Sequence, residues 1–319
     1  LDLKDGNIKH SYSALLRAGP SDYIKIKEMD KMSKVLKQTY SYLFLVPAAI
    51  IYLIIFIVPT IMSFFFSLTR WTLSDWEFIG LQNYQTFFEE TALRIGFKNT
   101  LIFALVTCVM KVVFGLLLGV FLTSKIRTKN YLRSAVFFPT LVSTIAVGIA
   151  FSQMMHPSQG LINKALGFIG IAGPDWLGDT SIALLSVAFV DVWKGVGFAT
   201  VLFIAGILSI PDEYYEALQI DGGNSWNKFW SIIIPLSRPA MNSVIILSFI
   251  GGLRQFDLIW AMTKGGPGFA TDVIASIIYK QYVSGYFGLS TAGNVILFLF
   301  VTLLAFPLQM YLNRKEVSL

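Results

Sequence analysis

Charge, cysteine and histidine are all scarce in this chain. Only 14% of its 319 residues are Asp, Glu, Lys or Arg, against 55% hydrophobic residues and a mean hydropathy of +0.65. So few charges exclude an ordinary solvated surface and put the chain among integral membrane proteins. A single cysteine, Cys108, excludes an internal disulfide and any Cys-based metal cluster. The two histidines, His10 and His156, stand far apart without ligand-like spacing. No nucleophile–base pair and no metal set stands out, so no catalytic residue, metal ligand or cofactor is assigned to the chain. A phosphate-cradling Gly-x-x-x-x-Gly-Lys-Ser/Thr loop is also missing. If ATP drives this protein, another chain binds it. The net charge of +6 is spread along the sequence and the aromatics sit in apolar runs, which argues against nucleic-acid binding.

What the chain has in abundance is long apolar runs. Six of them, over about 42–68, 97–124, 135–155, 181–208, 240–262 and 288–312, meet the roughly 20 residues a helix needs to cross a bilayer. Pro47 and Pro59 punctuate the first, which membrane helices tolerate when neighbours re-satisfy the backbone. Basic residues alternate in density between the runs. Residues 1–40 hold eight, Lys125, Arg127, Lys129 and Arg133 crowd one short loop, Lys164 is alone in 156–180, and Arg314 and Lys315 close the chain. The positive-inside rule then predicts that both termini, the 125–133 loop and the 209–235 loop are cytoplasmic.

The 1–40 tail is no signal peptide, because the apolar run that follows comes too late and is too long. Ile24, Met29, Met32, Val35 and Leu36 against Lys25, Lys27, Lys31, Lys34 and Lys37 predict a basic amphipathic helix on the cytoplasmic surface. A solvated tail is the alternative for its first twenty residues. Because the chain opens on Leu1 and not on Met, a native start upstream is expected.

Residues 211–235, PDEYYEALQIDGGNSWNKFWSIIIP, lie between the fourth and fifth runs and read as two short helices. Ser209 and Asp212 have capping-box spacing, with Pro211 where a helix tolerates its missing N–H. The first helix is expected to run to about Ile220, with Gly222-Gly223 taking the positive φ that closes it. Asn224 or Ser225 can cap the second, where Trp226, Phe229, Trp230, Ile233 and Ile234 recur at helical spacing. The first helix is left to present Glu213, Glu216 and Gln219 to water. The pair makes a handle that a partner can push.

Glu216-Ala217-Leu218, then Gly222, then Ile232-Ile233-Ile234-Pro235 resembles the EAA loop of ABC importer permeases, with Leu218 and Ile234 as mild departures. Gly80, Leu81, Asn83 and Tyr84 resemble a Gly-Leu-x-Asn-Tyr phrase of sugar importer permeases. Gly265-Gly266-Pro267 with Thr271 is similar to their Gly-Gly-Pro loop. The resemblance runs from the first apolar run to the C-terminus and leaves out the tail. It implies an all-α, six-transmembrane-helix type I importer permease with a cytoplasmic helix-turn-helix coupling loop. Glu213, Glu216, Ala217, Asp221, Gly222 and Pro235 would couple it to an ATPase. The partners implied are a second homologous permease, two cytoplasmic ATPase subunits that bind ATP and Mg, and an extracytoplasmic solute-binding protein. The cargo implied is a carbohydrate.

Ionisable side chains inside a span cost about 2.5–3.5 kcal/mol on insertion scales, so each needs a reason. The fourth run carries Asp191 and Lys194 beside Trp193, the fifth carries Arg254, Gln255 and Asp257, and Lys111 lies inside the second. One reading is a substrate pathway, since aromatic faces and planar polar groups bind sugars. The other is structural ion pairing, Asp191 with Lys194 and Arg254 with Asp257. Family resemblance favours a pathway through Asp191, Lys194, Gly195, Phe198, Ser248, Gly251, Gly252 and Gln255, to which residue chemistry adds Trp193 as an aromatic face and Arg254 as a cation. Lys194 and Arg254 would also suit an anionic sugar. An ion-coupled secondary transporter is the alternative, with its charges on an ion route, although no internal repeat of the usual kind is visible. A membrane-embedded enzyme or sensor would need paired catalytic groups or a large soluble domain.

Overall fold

The apolar runs fold as helices, and the structure, a computed structural model, describes residues 42–72 and 74–314. The amphipathic helix expected in the tail, and Lys315, lie outside the described residues. Two units divide the chain, residues 1–62 and 63–319. Helix α1 (Val46–Phe66) begins in the first and ends in the second. Its residues 53–57 form a π turn whose last carbonyl-to-amide link joins Val58 N–H to Leu53 O, just before Pro59. A proline ring clashes with the carbonyl four residues back, and widening the turn relieves that clash.

In the second unit a short hairpin of β1 (Thr69–Trp71) and β2 (Trp76–Phe78) pairs Thr69 with Phe78 and Trp71 with Trp76. It is a small exception to the all-α expectation. Then follow α2 (Gln82–Glu89), α3 (Thr91–Thr123), α4 (Lys129–Leu141), α5 (Thr144–Met154), α6 (Leu161–Phe168) and α7 (Ala183–Leu208). Helices α8 (Asp212–Ile220), α9 (Ser225–Leu236) and α10 (Arg238–Leu253) come next. The chain continues through α11 (Asp257–Met262), α12 (Ile274–Val283) and α13 (Phe287–Asn313).

Among the described residues, four helices, α1, α3, α7 and α13, are long and apolar enough to cross a membrane. There are six if each of two bent pairs crosses as one: α4 with α5, bent by 95°, and α9 with α10, bent by 66°. In two of the expected spans the helix is interrupted. The third starts at Lys129 and breaks after Leu141, two residues beyond the helix-interrupting Pro139. The fifth stops at Leu253 and resumes as α11, because adjacent Gly251 and Gly252 weaken the end of α10.

Helix α3 is the axis of the second unit. Its 33 residues extend over about 50 Å at ~1.5 Å per residue, and α7 and α10 pack along it. Gly115 and Gly119 allow that closeness: a Cβ on either would stand 2.8 Å from the Cβ of Ala199 or Phe203 on α7. Small residues let helix backbones approach in lipid, where dispersion and not water exclusion drives association. Towards one end, Phe103 is buried with Val187, Val190, Leu258 and Ile259. Towards the other, Leu116 and Phe203 meet Ile233 and Val244.

Candidate functional site

The sequence between α7 and α10 builds the hairpin expected from its punctuation, with one change at its start. The Ser209 hydroxyl donates back to Gly206 O at 2.9 Å and Ser209 closes α7, so the Ser209–Asp212 capping box does not form. Pro211 is the residue before α8, with no side-chain cap. At the other end of α8, Gly222 takes φ +71. Its N–H donates to Gln219 O at 3.1 Å and the Gly223 N–H donates to Leu218 O at 2.8 Å. Those two bonds make a Schellman closure, which glycine reaches without a Cβ penalty. Asn224 Oδ1 then accepts from the N–H groups of Trp226 and Asn227, each at 3.0 Å, and starts α9. A second π turn, residues 228–233, precedes Pro235 as the first precedes Pro59.

Glu213, Glu216, Ala217 and Gln219 are exposed on α8, and Ile220 is 86% exposed. Asp212 and Glu213 sit in the first turn, where the helix dipole favours negative charge. The expected aromatic face of α9 is split. Phe229 and Ile233 turn inward against Phe203 and Val244, whereas Trp226 and Trp230 stay exposed, in edge contact at 5.6 Å. Lys228 Nζ lies 4.4 Å over the Tyr215 ring and joins the two helices. Asp221 and Gly222 are exposed at the turn, and Pro235 is half-buried.

The intramembrane charges pair differently from the expectation. Asp191 bonds Lys111 Nζ across α3 and α7 at 2.5 Å, with side chains 15% and 11% exposed. The expected Asp191–Lys194 pair is therefore absent. Gly195, one turn beyond Asp191, explains the choice: a Cβ there would stand 2.6 Å from Lys111 Cε, so the glycine makes the channel through which Lys111 reaches its carboxylate. Lys194 instead donates weakly to Thr140 O at 3.5 Å, and its own carbonyl accepts from Thr140 Oγ1 at 3.0 Å. Arg254 and Asp257 form no ion pair among the described residues. Both are exposed, one closing α10 and the other opening α11.

Gly252 serves packing, since its Cβ would meet Ala104 Cα of α3 at 2.6 Å. Gly251 faces open space. Ser248 and Gln255 are half-buried, and Trp193 and Phe198 are 39% and 45% exposed. The Trp193 ring leans on Phe151 at 5.0 Å. Open-facing Gly251, Arg254, Trp193 and Phe198 thus separate from the sealed group of Lys111, Asp191, Gly195 and Gly252.

A third constellation escaped the sequence reading. In the loop containing Gly265-Gly266-Pro267, Gly265 takes φ +89 and Thr271 Oγ1 donates to Gly266 O at 2.7 Å. Next to it Asp272 is fully buried, receiving Lys280 Nζ at 2.6 and 2.8 Å and Ser276 Oγ at 2.7 Å. From α3, Asn99 Nδ2 donates to Asp272 O at 2.9 Å, Ala270 O at 3.0 Å and Phe269 O at 3.3 Å. The Ile274 N–H donates to Thr100 Oγ1 at 3.0 Å. Asp272, Ser276 and Lys280 recur at four-residue spacing, a signal the sequence does contain. Asn99 and Thr100 lie far away in the chain and give none.

Residues 111–317 match the family described as binding-protein-dependent transport system inner membrane component. The chain is 31% identical over 285 residues to the multiple sugar-binding transport system permease protein MsmF of Streptococcus mutans, covering 88% of this chain and 98% of that one. It is 32% identical over 262 residues to the trehalose/maltose transport system permease protein MalF of Thermococcus litoralis, covering 82% and 89%. Among solved structures, a bacterial ABC transporter involved in import of the acidic polysaccharide alginate overlays it with a TM-score of 0.74 at 22% identity, over 90% of this chain and 98% of that one. That overlay establishes the type I importer permease fold. With EAA-like residues on an exposed, capped hairpin between two spans, this chain belongs to the binding-protein-dependent inner membrane component family and is a permease subunit of an ABC importer.

Proposed function

We propose that this permease carries a sugar or oligosaccharide inward by alternating access, delivered by a solute-binding protein and driven by ATP. The cargo class is supported by two relatives above 30% identity whose names specify sugars. The ion-coupled alternative has no such support. A second homologous permease completes the pathway, and two cytoplasmic ATPase subunits bind ATP and Mg. Both termini and the hairpin face the cytoplasm, with 1–40 as a cytoplasmic tail and 41–319 as the transmembrane domain.

The observation that carries the coupling role is the exposed face of α8. Glu213, Glu216 and Ala217 form its contact surface, while Asp221, Gly222 and Pro235 hold the hairpin's shape. When ATP closes the ATPase dimer, α8 moves with it, and α9 transmits the motion through the buried Ile233 to α7 and α10. The cargo path runs along the open-facing side, past Trp193, Phe198, Ser248, Gly251, Arg254 and Gln255. Asp191, Lys194, Gly195 and Gly252 frame it.

The test is a pull-down from the native membrane with wild type and Glu216→Lys side by side. Wild type brings down an ATPase and a second permease, and the variant loses the ATPase. A chain that comes down alone both times sinks the coupling role. An anionic sugar is a second reading, favoured by Lys194, which among the described residues has no carboxylate partner once Asp191 binds Lys111. Uptake of charged oligosaccharides that is indifferent to Lys194→Ala removes it.

A further inference from the structure

Between the C-terminal ends of α3 and α7 and the inner side of the hairpin lies a cleft of about 640 Å³ that the coupling role does not use. Its floor is apolar: Val120, Ile207, Ile210, Phe229 and Ile233. Thr123 and Ser124 line it at the end of α3, and Lys125 and Lys228 carry its positive charge, with Asp212 the one acid. Lys125 continues into Arg127, Lys129 and Arg133 without an intervening acid, so the α3 side of the cleft is basic, while α8 carries Glu213 and Glu216 on its other face. Exposed Trp226 and Trp230 flank it on α9, and indoles favour the headgroup layer of a bilayer.

The cleft and the ATPase-facing surface occupy different sides of α8. At about 100° per residue, Asp212, Tyr215 and Gln219 point about a third of a turn away from Glu213, Glu216 and Ala217. Tyr215 is half-buried beneath Lys228, and burial together with Asp212 pushes its phenol above the ordinary value, so it stays a neutral donor.

We propose that this cleft holds an anionic phospholipid of the cytoplasmic leaflet, with its phosphate between Lys125 and Lys228 and the start of an acyl chain on the Phe229–Ile233 floor. Apolar depth beneath a basic rim distinguishes a lipid from a free phosphate, which would find no use for the floor. Basic pockets beside membrane helices on the cytoplasmic side bind acidic headgroups for the same electrostatic reason. Because both α8 and α9 form the wall, the lipid braces the hairpin against α3 and stiffens the lever between ATPase and bundle. The inference rests on the hairpin end being cytoplasmic, and it stands apart from the identity of the cargo.

The experiment uses the whole transporter purified as its complex and placed in nanodiscs. Phosphatidylglycerol carrying a photoactivatable group on its acyl chain is the probe, with a phosphatidylcholine analogue in parallel. Labelled peptides are read by mass spectrometry. Phosphatidylglycerol is expected to label residues 120–124 and 229–233 in preference to phosphatidylcholine. Lys125→Gln with Lys228→Gln is expected to lower that labelling about thirtyfold, the scale of two lysines attracting an acidic headgroup at about 1 kcal/mol each. The Lys125→Arg, Lys228→Arg pair retains it. Equal labelling by both lipids in the wild type overturns the proposal, whatever the variants do. So does competition by millimolar soluble glycerol phosphate, or cross-linking of the cleft to an ATPase peptide. An ATPase that stays bound while labelling fails refutes the lipid site and leaves the coupling role intact.

Discussion

At the end of α3 that carries Asn99, the loop over residues 263–273 is fastened by side chains with almost no exposed surface, Asn99, Thr100, Asp272 and Ser276. At the end that carries Thr123, the hairpin is held by one side-chain cap at Asn224, one cation over a ring and the buried Ile232 and Ile233. The first end is welded and the second is hinged. A coupling element has to move with its partner while keeping its own shape, so its order comes from local closure, the Schellman turn and the Asn224 cap. The loop at the other end takes its order from contacts distant in sequence. Breaking it should cost global stability, whereas breaking the hairpin's surface should cost partner binding.

Asp272→Ala should produce the largest loss of stability. It removes the carboxylate that Lys280 and Ser276 both address, while Asn99, which bonds main-chain carbonyls, keeps its acceptors. Losing one partner of a buried ion pair costs about 3–5 kcal/mol, which thermal unfolding of the detergent-solubilised protein will register. Glu216→Ala, on the exposed face of α8, should leave the same unfolding curve unmoved. Equal curves for Asp272→Ala and wild type would erase the contrast between the two ends.

Between those ends lies the Lys111–Asp191 pair. Lys111→Met alone should destabilise by about 3 kcal/mol, because the aspartate is left buried without its counter-ion. Adding Asp191→Leu should recover most of the loss, since apolar replacement of a whole buried pair is close to neutral. A double-mutant cycle read by thermal unfolding checks this. If the double variant folds well but no longer transports, the pair serves the pathway and not the scaffold.

How far the sequence reveals each region follows from the range of its determining contacts. The hairpin was readable because Gly222, Asn224 and Pro235 act within a few residues of themselves. Its misread start, the Ser209–Asp212 box, failed because Ser209 had a competing acceptor in Gly206 of the preceding helix. The apolar runs were readable by length, but the breaks near Pro139 and Gly251 come from backbone effects of proline and glycine that hydropathy does not register. Pairing of Asp191 with Lys194 looked sufficient at three-residue spacing. Lys111, 80 residues away, won because Gly195 opens a path for it. Asn99 offers no local pattern at all, since its three acceptors lie in another part of the chain.

Asn224→Ala tests the hinged end directly. Losing a helix N-cap costs about 1 kcal/mol, and at the hairpin the loss should appear as faster amide hydrogen exchange in residues 225–228. Global unfolding should stay in place. A shift of the whole unfolding transition would mean that the hairpin is part of the cooperative core.

The smallest effect should come from Glu90, which precedes α3 at the welded end. Partial burial raises its carboxyl above the ordinary value of 4.5, while the Gln281 side chain, donating at 2.7 Å, pulls it back in part. A raised acid binds its proton more tightly in the folded state, so its contribution is fully present below about pH 4.5 and is lost as pH rises through the folded value. Glu90→Gln cannot ionise. Its unfolding temperature relative to wild type should therefore climb across that window and level off above it. A constant difference between the two proteins at every pH would show that Glu90 is as well solvated as the hairpin's own carboxylates, and that the welded end stops short of it.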